Sequence, residues 1–191
     1  MNSRKIGWLL IGGIGSGKSR VRQMLEAAGL PVIDSDQIGH LVLESEARAA
    51  VGEAWPEVVR DDNTVDRTRL ASIVFSDMAQ LRRLEAITHP FIFDRIKRNL
   101  QEIEGEGTAV VEMPIVDPPL DWPKIVVDAK DDVRMRRVLD RGLTPEAAEA
   151  RFGSQPTRGA WLAAADVVIP NHGSIEELQE AVTSLVPFLR S

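Results

Sequence analysis

The chain contains no cysteine among its 191 residues. This absence excludes disulfide bonds, metal sites built on thiolates and any mechanism with a cysteine nucleophile. It also suits the reducing interior of a cell, where disulfides rarely persist. We therefore expect the protein to be cytoplasmic.

Long apolar segments are also lacking. The stretch Ile6–Ile14 follows Arg4 and Lys5 in the manner of a secretory leader, but no small-residue cleavage site comes after it. It is also too short to cross a bilayer, which takes about 20 apolar residues. We interpret it as a buried strand and expect no membrane association.

Positive charge is in deficit, because the formal net charge is −6 at pH 7. An acidic chain is a poor match for a nucleic acid or a membrane surface. A small anionic ligand remains compatible, since a local basic cluster can outweigh the total charge. The chain has no internal repeat and no low-complexity segment, and we expect a monomer built on one compact unit with inserts.

Five short apolar runs predict buried strands. They are continuous rather than alternating, which is typical of parallel strands covered on both faces. The runs are Lys5–Ile11, Pro31–Asp34, Ala109–Met113, Lys124–Asp128 and Asp166–Ile169. With helical patterns between them, they predict an α/β fold with an open, doubly wound, five-stranded parallel sheet.

Two segments interrupt this sheet pattern. The first, residues 37–107, carries several helical stretches, the clearest of which has a predicted break at Pro90. Gly105–Thr108 then returns the chain to the sheet. The second, residues 130–160, is polar and includes a helix that Thr144 and Pro145 are suited to begin.

Three further helix starts can be located. The first helix begins near Gly17, and another begins near Gln37. The last helix begins after Ser174, whose spacing from Glu177 fits a capping box.

The stretch from Gly12 to Ser19 satisfies the phosphate-loop pattern G-x-x-x-x-G-K-[ST]. Glycines let the backbone N–H groups curl around anionic oxygens, and the following helix offers its positive end. Lys18 supplies a charge for the β and γ phosphates, and Ser19 a hydroxyl for Mg²⁺. The predicted nucleotide-binding residues here are Gly12, Gly13, Ile14, Gly15, Ser16, Gly17, Lys18, Ser19 and Arg20. For Arg20 two readings stay open, contact with the phosphates or exposure to solvent, because a cation in a first helical turn opposes the helix dipole.

Carboxylates follow two of the predicted strands. If the second strand lies near the first, Asp34 or Asp36 faces the terminal phosphate, where it can accept a proton from a hydroxyl or hold Mg²⁺ through water. The alternative is that these aspartates cap the next helix. Glu112 ends the third apolar run and is predicted to support Mg²⁺ through water; its alternative is a purely structural pairing.

Arginines recur at helical spacing in the second insert. Arg134, Arg137 and Arg141 share a face, and Arg151 follows. Arginines beside a nucleotide neutralise the charge that develops during phosphoryl transfer. The alternative is a solvated helix face paired with nearby aspartates, namely Asp131, Asp132 and Asp140.

The motifs of guanine-nucleotide switches, N-K-x-D and D-x-x-G, are absent. Their absence favours a kinase that acts on a small acceptor.

Over nearly its whole length the chain resembles the dephospho-CoA kinase family. The matching segments, in chain order, are "GGIGSGKS", "PVIDSD", "DRTRLASIVF", "ITHP", "VVEMP", the spaced arginines ending in "DRG", "RFGSQ" and "ADVVIPNHG". The resemblance implies transfer of the γ-phosphoryl group of ATP to the 3′-hydroxyl of dephospho-CoA, giving CoA and ADP, with Mg²⁺ as cofactor. It also implies a P-loop kinase fold with a helical insert and a lid.

The resemblance implies three parts. Residues 1–36, 109–129 and 161–191 would form the nucleotide-binding core. Residues 37–108 would form a helical insert that binds the acceptor, and residues 130–160 the lid.

The resemblance further implies roles for individual residues. Asp36 would be the catalytic base, beside the catalytic loop residue Lys18 and the lid residues Arg137 and Arg141. Asn171 would lie near the adenine. The acceptor side would include Asp34, Asp36, His89 and Pro114, although His89 has the alternative of simply starting a helix.

The sequence departs from the family pattern at four places. Arg20 replaces a second hydroxyl, Ser35 replaces an alanine, "PIVDPP" at Pro114–Pro119 lacks the expected acidic end, and "RGAWLAAAD" lacks a lysine. Two alternatives therefore stay open. One is another small-molecule or nucleotide kinase, and the other is a catalytically weak nucleotide-binding paralogue.

Overall fold

A computed structural model describes residues 7–103 and 108–190. The predicted strand residues Lys5 and Ile6, and residues 105–107 of the predicted return to the sheet, lie outside the described residues. Within the described ranges, no helix is long and apolar enough to cross a membrane.

A five-stranded parallel sheet forms the centre of the fold. Its strands, in the spatial order β2-β3-β1-β4-β5, are β1 Gly7–Ile11, β2 Val32–Asp34, β3 Ala109–Glu112, β4 Lys124–Asp128 and β5 Val167–Pro170. All five predicted strands are confirmed. Leu9, Leu10 and Ile11 of β1 are fully buried, as the continuous apolar run requires for a central strand covered on both faces.

Nine α-helices accompany the sheet in the described ranges. They are α1 Lys18–Ala27, α2 Ser35–Glu44, α3 Arg48–Ala54, α4 Arg67–Val74, α5 Met78–Glu102, α6 Asp131–Asp140, α7 Pro145–Gly153, α8 Arg158–Ala163 and α9 Ile175–Arg190. Helices α1 and α9 cover one face of the sheet, where Val21 and Leu25 of α1 and Leu178 of α9 pack with Leu10 and Ile125.

The strand order shows where the second strand lies relative to the first. β3 lies between β1 and β2, so the second strand is not the neighbour of the first. The neighbours of β1 are β3 and β4, in parallel register, with Leu10 opposite Glu112 and Ile11 opposite Val126. The carboxylates that end strands adjacent to β1 are therefore Glu112 and Asp128.

The chain divides into two compact units. One holds the described residues up to Ile33 and from Ile103 onward, and the other is Asp34–Glu102. In the second unit, α5 packs against α2, α3 and α4. Its buried apolar side chains include Ile38, Val42, Leu70, Val74, Ile96 and Leu100.

Side chains cap the helices largely as predicted. Asp34 Oδ1 accepts from the backbone N–H groups of Asp36 at 2.9 Å and Gln37 at 3.1 Å, and α2 begins at Ser35. Thr144 caps α7, with Pro145 in its first turn. Ser174 and Glu177 bond each other's backbone N–H reciprocally, which confirms the capping box.

The predicted break at Pro90 is wrong, because α5 runs through it without interruption. A proline inside a helix costs about 3 kcal/mol through its missing N–H and its clash with the preceding turn. Burial of Ile96 and Leu100 against the neighbouring helices outweighs that cost. His89 accordingly lies in mid-helix and does not start one; its ring lies 5.5 Å from that of Phe93.

Replacing Pro90 by Ala should raise the free energy of unfolding by up to about 3 kcal/mol, the cost of a proline inside a helix. Alanine restores the backbone N–H of the helix interior and removes the ring clash. Urea unfolding followed by circular dichroism measures the change. Lys97→Ala, an exposed substitution on the same helix, should stay within about 0.5 kcal/mol of the wild type. A loss of stability in the Pro90 variant would contradict this account.

Candidate active site

The phosphate loop connects the buried end of β1 to the start of α1 at Lys18. Lys18 Nζ donates to the carbonyl oxygen of Gly12 at 2.7 Å, so its ammonium group lies over the loop it belongs to. The loop amides and this ammonium group together offer the donors that a polyphosphate needs.

A carboxylate at the end of β3 meets the first turn of α1. Ser19 Oγ donates to Glu112 Oε1 at 3.4 Å, and Arg22 Nε lies 2.8 Å from Glu112 Oε2. A hydroxyl and a carboxylate are the hard oxygen donors that Mg²⁺ prefers, so this pair fits a magnesium ion. Within residues 7–103 and 108–190, no group of three or more acidic or histidine side chains is arranged to hold a metal directly.

A cleft of about 350 Å³ opens beside the loop. Its lining residues are Gly17, Arg20, Arg137, Asp140, Arg141, Asn171, Gly173, Ser174, Ile175 and Leu178. Arg20 therefore belongs to the cleft wall. Asn171 is buried and braces the loop, because its Nδ2 donates to the carbonyl of Ser16 at 2.7 Å while its Oδ1 accepts from Arg137 Nη2 at 3.1 Å.

The cleft carries an excess of positive charge. Burial lowers the pKa of the Arg137 guanidinium, and the positive charges of Arg141, Arg136 and Arg20 lower it further. Like charges held together in this way favour an anionic ligand that neutralises them. The acidic chain thus has a local basic site, next to its phosphate loop.

Arg134 takes a different role from the other arginines of α6. It is buried, and its guanidinium contacts Asp131, Phe152 and the carbonyl of Ile14. The expected alternative of a solvated arginine face is therefore wrong for Arg134. Arg141 and Arg151 are both exposed, and for these two residues the alternative stays open.

The sequence reasoning missed Asp128 at the end of β4. This buried carboxylate accepts from Arg158 Nε at 2.8 Å and Nη2 at 2.6 Å, and His172 Nε2 lies 3.4 Å away. The Arg158 hydrogen bonds, together with its charge, hold the pKa of Asp128 below its ordinary value. An acidic residue closing an apolar run, the same pattern that singled out Glu112, was the available signal.

The other predicted residues lie as follows. Asp34 caps α2, which confirms the capping alternative for that residue, while Asp36 is exposed in the first turn of the same helix. His89 lies in α5 of the second unit. Pro114 is exposed in the segment after β3, and Arg141 ends α6 as its C-cap.

Comparison with known proteins decides the family. The model of the dephospho-CoA kinase family matches residues 6–177. The chain belongs to the dephospho-CoA kinase family. A dephospho-CoA kinase from Corynebacterium glutamicum is 40% identical over 192 residues, covering 95% of this chain and 97% of the relative.

Solved structures agree with this assignment. The structure of TT1252 from Thermus thermophilus superposes with a TM-score of 0.85 at 31% identity, covering 98% of this chain and 100% of that one. The dephospho-CoA kinase from Campylobacter jejuni gives a TM-score of 0.68 at 25% identity, covering 97% and 98%. The chain therefore has the P-loop kinase fold of this family.

Replacing Asp128 by Asn should remove a pH-dependent part of the stability. The folded pKa of Asp128 lies below the ordinary value of 3.8. Its contribution is therefore fully present above that pH and is lost as the pH falls through the folded value. At neutral pH the substitution should cost about 2 kcal/mol, and the difference from wild type should shrink as the pH falls below about 4.

Urea unfolding over a pH series measures this difference. Asp117→Asn serves as the matched control, because that carboxylate is 88% exposed and pairs with Lys124 at 3.5 Å. The control should stay within about 0.5 kcal/mol throughout. A pH-independent loss in the Asp128 variant would contradict the ion-pair account.

Proposed function

We propose that this chain catalyses the reaction of its family, the transfer of the γ-phosphoryl group of ATP to the 3′-hydroxyl of dephospho-CoA, giving CoA and ADP. The observation that carries the proposal is the cleft in which the phosphate loop, through Gly17, meets Arg20, Arg137 and Arg141. Its shape and excess positive charge suit a nucleotide polyphosphate.

ATP binding is assigned to the loop and the cleft. Backbone N–H groups between Gly12 and Ser19, other than that of Ile14, which donates to Gln155, cradle the phosphates, and Lys18 balances the charge of the β and γ groups. Arg20 adds a cation at the cleft wall. Asn171, which fixes the loop carbonyl of Ser16, borders the space assigned to the adenosine part.

Ser19 and Glu112 are the residues that would hold Mg²⁺, Ser19 through its hydroxyl and Glu112 through water. A bound magnesium ion would supply charge neutralisation and orientation of the phosphates. Arg22 supports this arrangement by fixing the Glu112 carboxylate at 2.8 Å.

Asp36 is proposed as the catalytic base. The side chain of Asp34 caps α2 and accepts a hydrogen bond from the backbone N–H of Asp36. This bond fixes the backbone of Asp36 at the start of the helix. As the 3′-oxygen forms its bond to the γ-phosphorus, the bond from that phosphorus to the β,γ-bridging oxygen breaks, and the hydroxyl proton passes to the Asp36 carboxylate. ADP leaves with the bridging oxygen.

Arg137 and Arg141 are proposed to neutralise the charge that develops on the transferred group. Residues 130–160 would act as the lid that carries them, and residues 37–108 as the acceptor-binding insert, with Asp34, His89 and Pro114 on the acceptor side. That the protein is a cytoplasmic monomer without nucleic-acid partners stays a prediction from the sequence.

The acceptor is tested by measuring ADP release with dephospho-CoA, AMP and nucleosides in separate reactions. Turnover with dephospho-CoA should exceed that with the other acceptors by about 100-fold or more, because its pantetheine arm offers binding contacts that AMP and nucleosides lack. Preferred turnover of AMP or a nucleoside would favour a nucleotide kinase. ATP binding without turnover of any acceptor would favour an inactive paralogue.

Replacing Asp36 by Asn should lower kcat by about 100-fold or more, since a positioned base contributes 10²–10⁴-fold. ATP affinity should change less than about twofold, because the carboxylate acts on the acceptor. Steady-state kinetics and calorimetric ATP titration separate the two quantities. Lys18→Ala is the comparison variant and should weaken both. An unchanged kcat in the Asp36 variant would remove this residue from the mechanism.

A further inference from the structure

One residue of the phosphate loop, Ile14, is hydrogen-bonded through both its backbone N–H and its backbone C=O to the segment that follows β4. Gln155 Oε1 accepts from the backbone N–H of Ile14 at 2.8 Å. Arg134 Nε donates to the carbonyl oxygen of the same residue at 2.9 Å. We call Arg134 and Gln155 the Ile14 clamp.

Burial and pairing fix the arginine of the clamp. The side chain of Arg134 is only 5% exposed, and its Nη1 pairs with Asp131 at 2.9 Å. Its guanidinium lies 4.6 Å from the centre of the Phe152 ring. A buried guanidinium is costly unless its donors are satisfied. Here one of those donors bonds the loop, so the loop carbonyl is part of what makes the burial of Arg134 tolerable.

Two loop glycines make room for this arrangement. A Cβ on Gly13 would collide with the Arg134 guanidinium, and a Cβ on Gly15 would lie 2.6 Å from the Arg134 carbonyl oxygen. Gly15 also has a φ of 75°, in the left-handed region that favours glycine. Because Gly13 and Gly15 have no side chain, Arg134 of α6 can pack directly against the phosphate loop.

We propose that Arg134 and Gln155 are positioning residues for nucleotide binding. By bonding both the N–H and the C=O of Ile14, they hold the phosphate loop in its binding conformation before the nucleotide arrives. A loop ordered in advance loses less conformational entropy on binding, so the clamp strengthens ATP affinity without contacting the acceptor. The inference rests on the proposed function only in taking ATP as the ligand of the loop.

The hydrogen bond itself is tested by the amide resonance of Ile14 in ¹⁵N-labelled protein. Gln155→Met keeps the length of the side chain but lacks the amide oxygen, so the Ile14 amide proton should move upfield and exchange faster with solvent. Gln155→Glu keeps an acceptor oxygen at the same reach and should retain the shift of the wild type. Gln179→Met on α9, whose amide donates to Thr183 at 3.3 Å, is the matched control and should leave Ile14 unmoved.

The positioning role is tested by calorimetric titration with ATP and by the KM for each substrate. Gln155→Met should weaken ATP binding about tenfold, the equivalent of one hydrogen bond, while the KM for dephospho-CoA changes less than about twofold. Arg134→Lys keeps the charge but loses the planar donor, and should also weaken ATP binding. A change confined to thermal stability, with ATP affinity intact in both variants, would overturn the proposal.

The outcomes separate this inference from the proposed function. If Gln155→Met moves Ile14 and weakens ATP binding, the clamp stands even where dephospho-CoA is not phosphorylated. The clamp is overturned if Gln155→Met leaves the Ile14 amide resonance unmoved. It is also overturned if Gln155→Glu moves that resonance as far as Gln155→Met does. Neither outcome depends on which molecule accepts the phosphoryl group.

Discussion

The constraint on which the structure depends is the turn from β1 into α1. β1 is the central strand and is fully buried at Leu9, Leu10 and Ile11, so its end is fixed by the strands on both sides. The chain must then reach the start of α1 at Lys18 within a short loop. That loop brings backbone N–H groups and the positive end of a helix to one point, which is a site for an anion.

The rest of the site is arranged around this loop by the strands adjacent to β1. β3 brings Glu112 to Ser19, and β4 brings Asp128 to the point where α8 begins with Arg158. Helix α6 contributes buried Arg134 to the loop and Arg137 to the cleft. Because the cleft combines Arg20 of α1 with Arg137 of α6, it exists only in the folded chain. Its charge is opposite in sign to the net charge of −6.

Local rules succeed where the interacting residues lie close together in the chain. Thr144 and the Ser174–Glu177 pair act within a few residues, so their capping roles follow from spacing alone. Pro90 shows the opposite case, since a local rule predicted a break and packing of α5 against three helices overrode it. Asp34 caps α2 through the backbone N–H groups of Asp36 and Gln37, while its place on the acceptor side stays a prediction.

The sequence alone determined the five strands, the phosphate loop, the family resemblance and the basic character of α6, because apolar periodicity and fixed spacing are local properties. Tertiary structure alone decided the strand order that makes Glu112 and Asp128 the neighbours of the loop. It also decided that Arg134 and Gln155 close on Ile14 while Arg137 lines the cleft. These contacts join residues more than a hundred positions apart, so they depend on the order of the strands in the sheet. They also depend on burial, because a buried donor must find a hydrogen-bond acceptor within the protein.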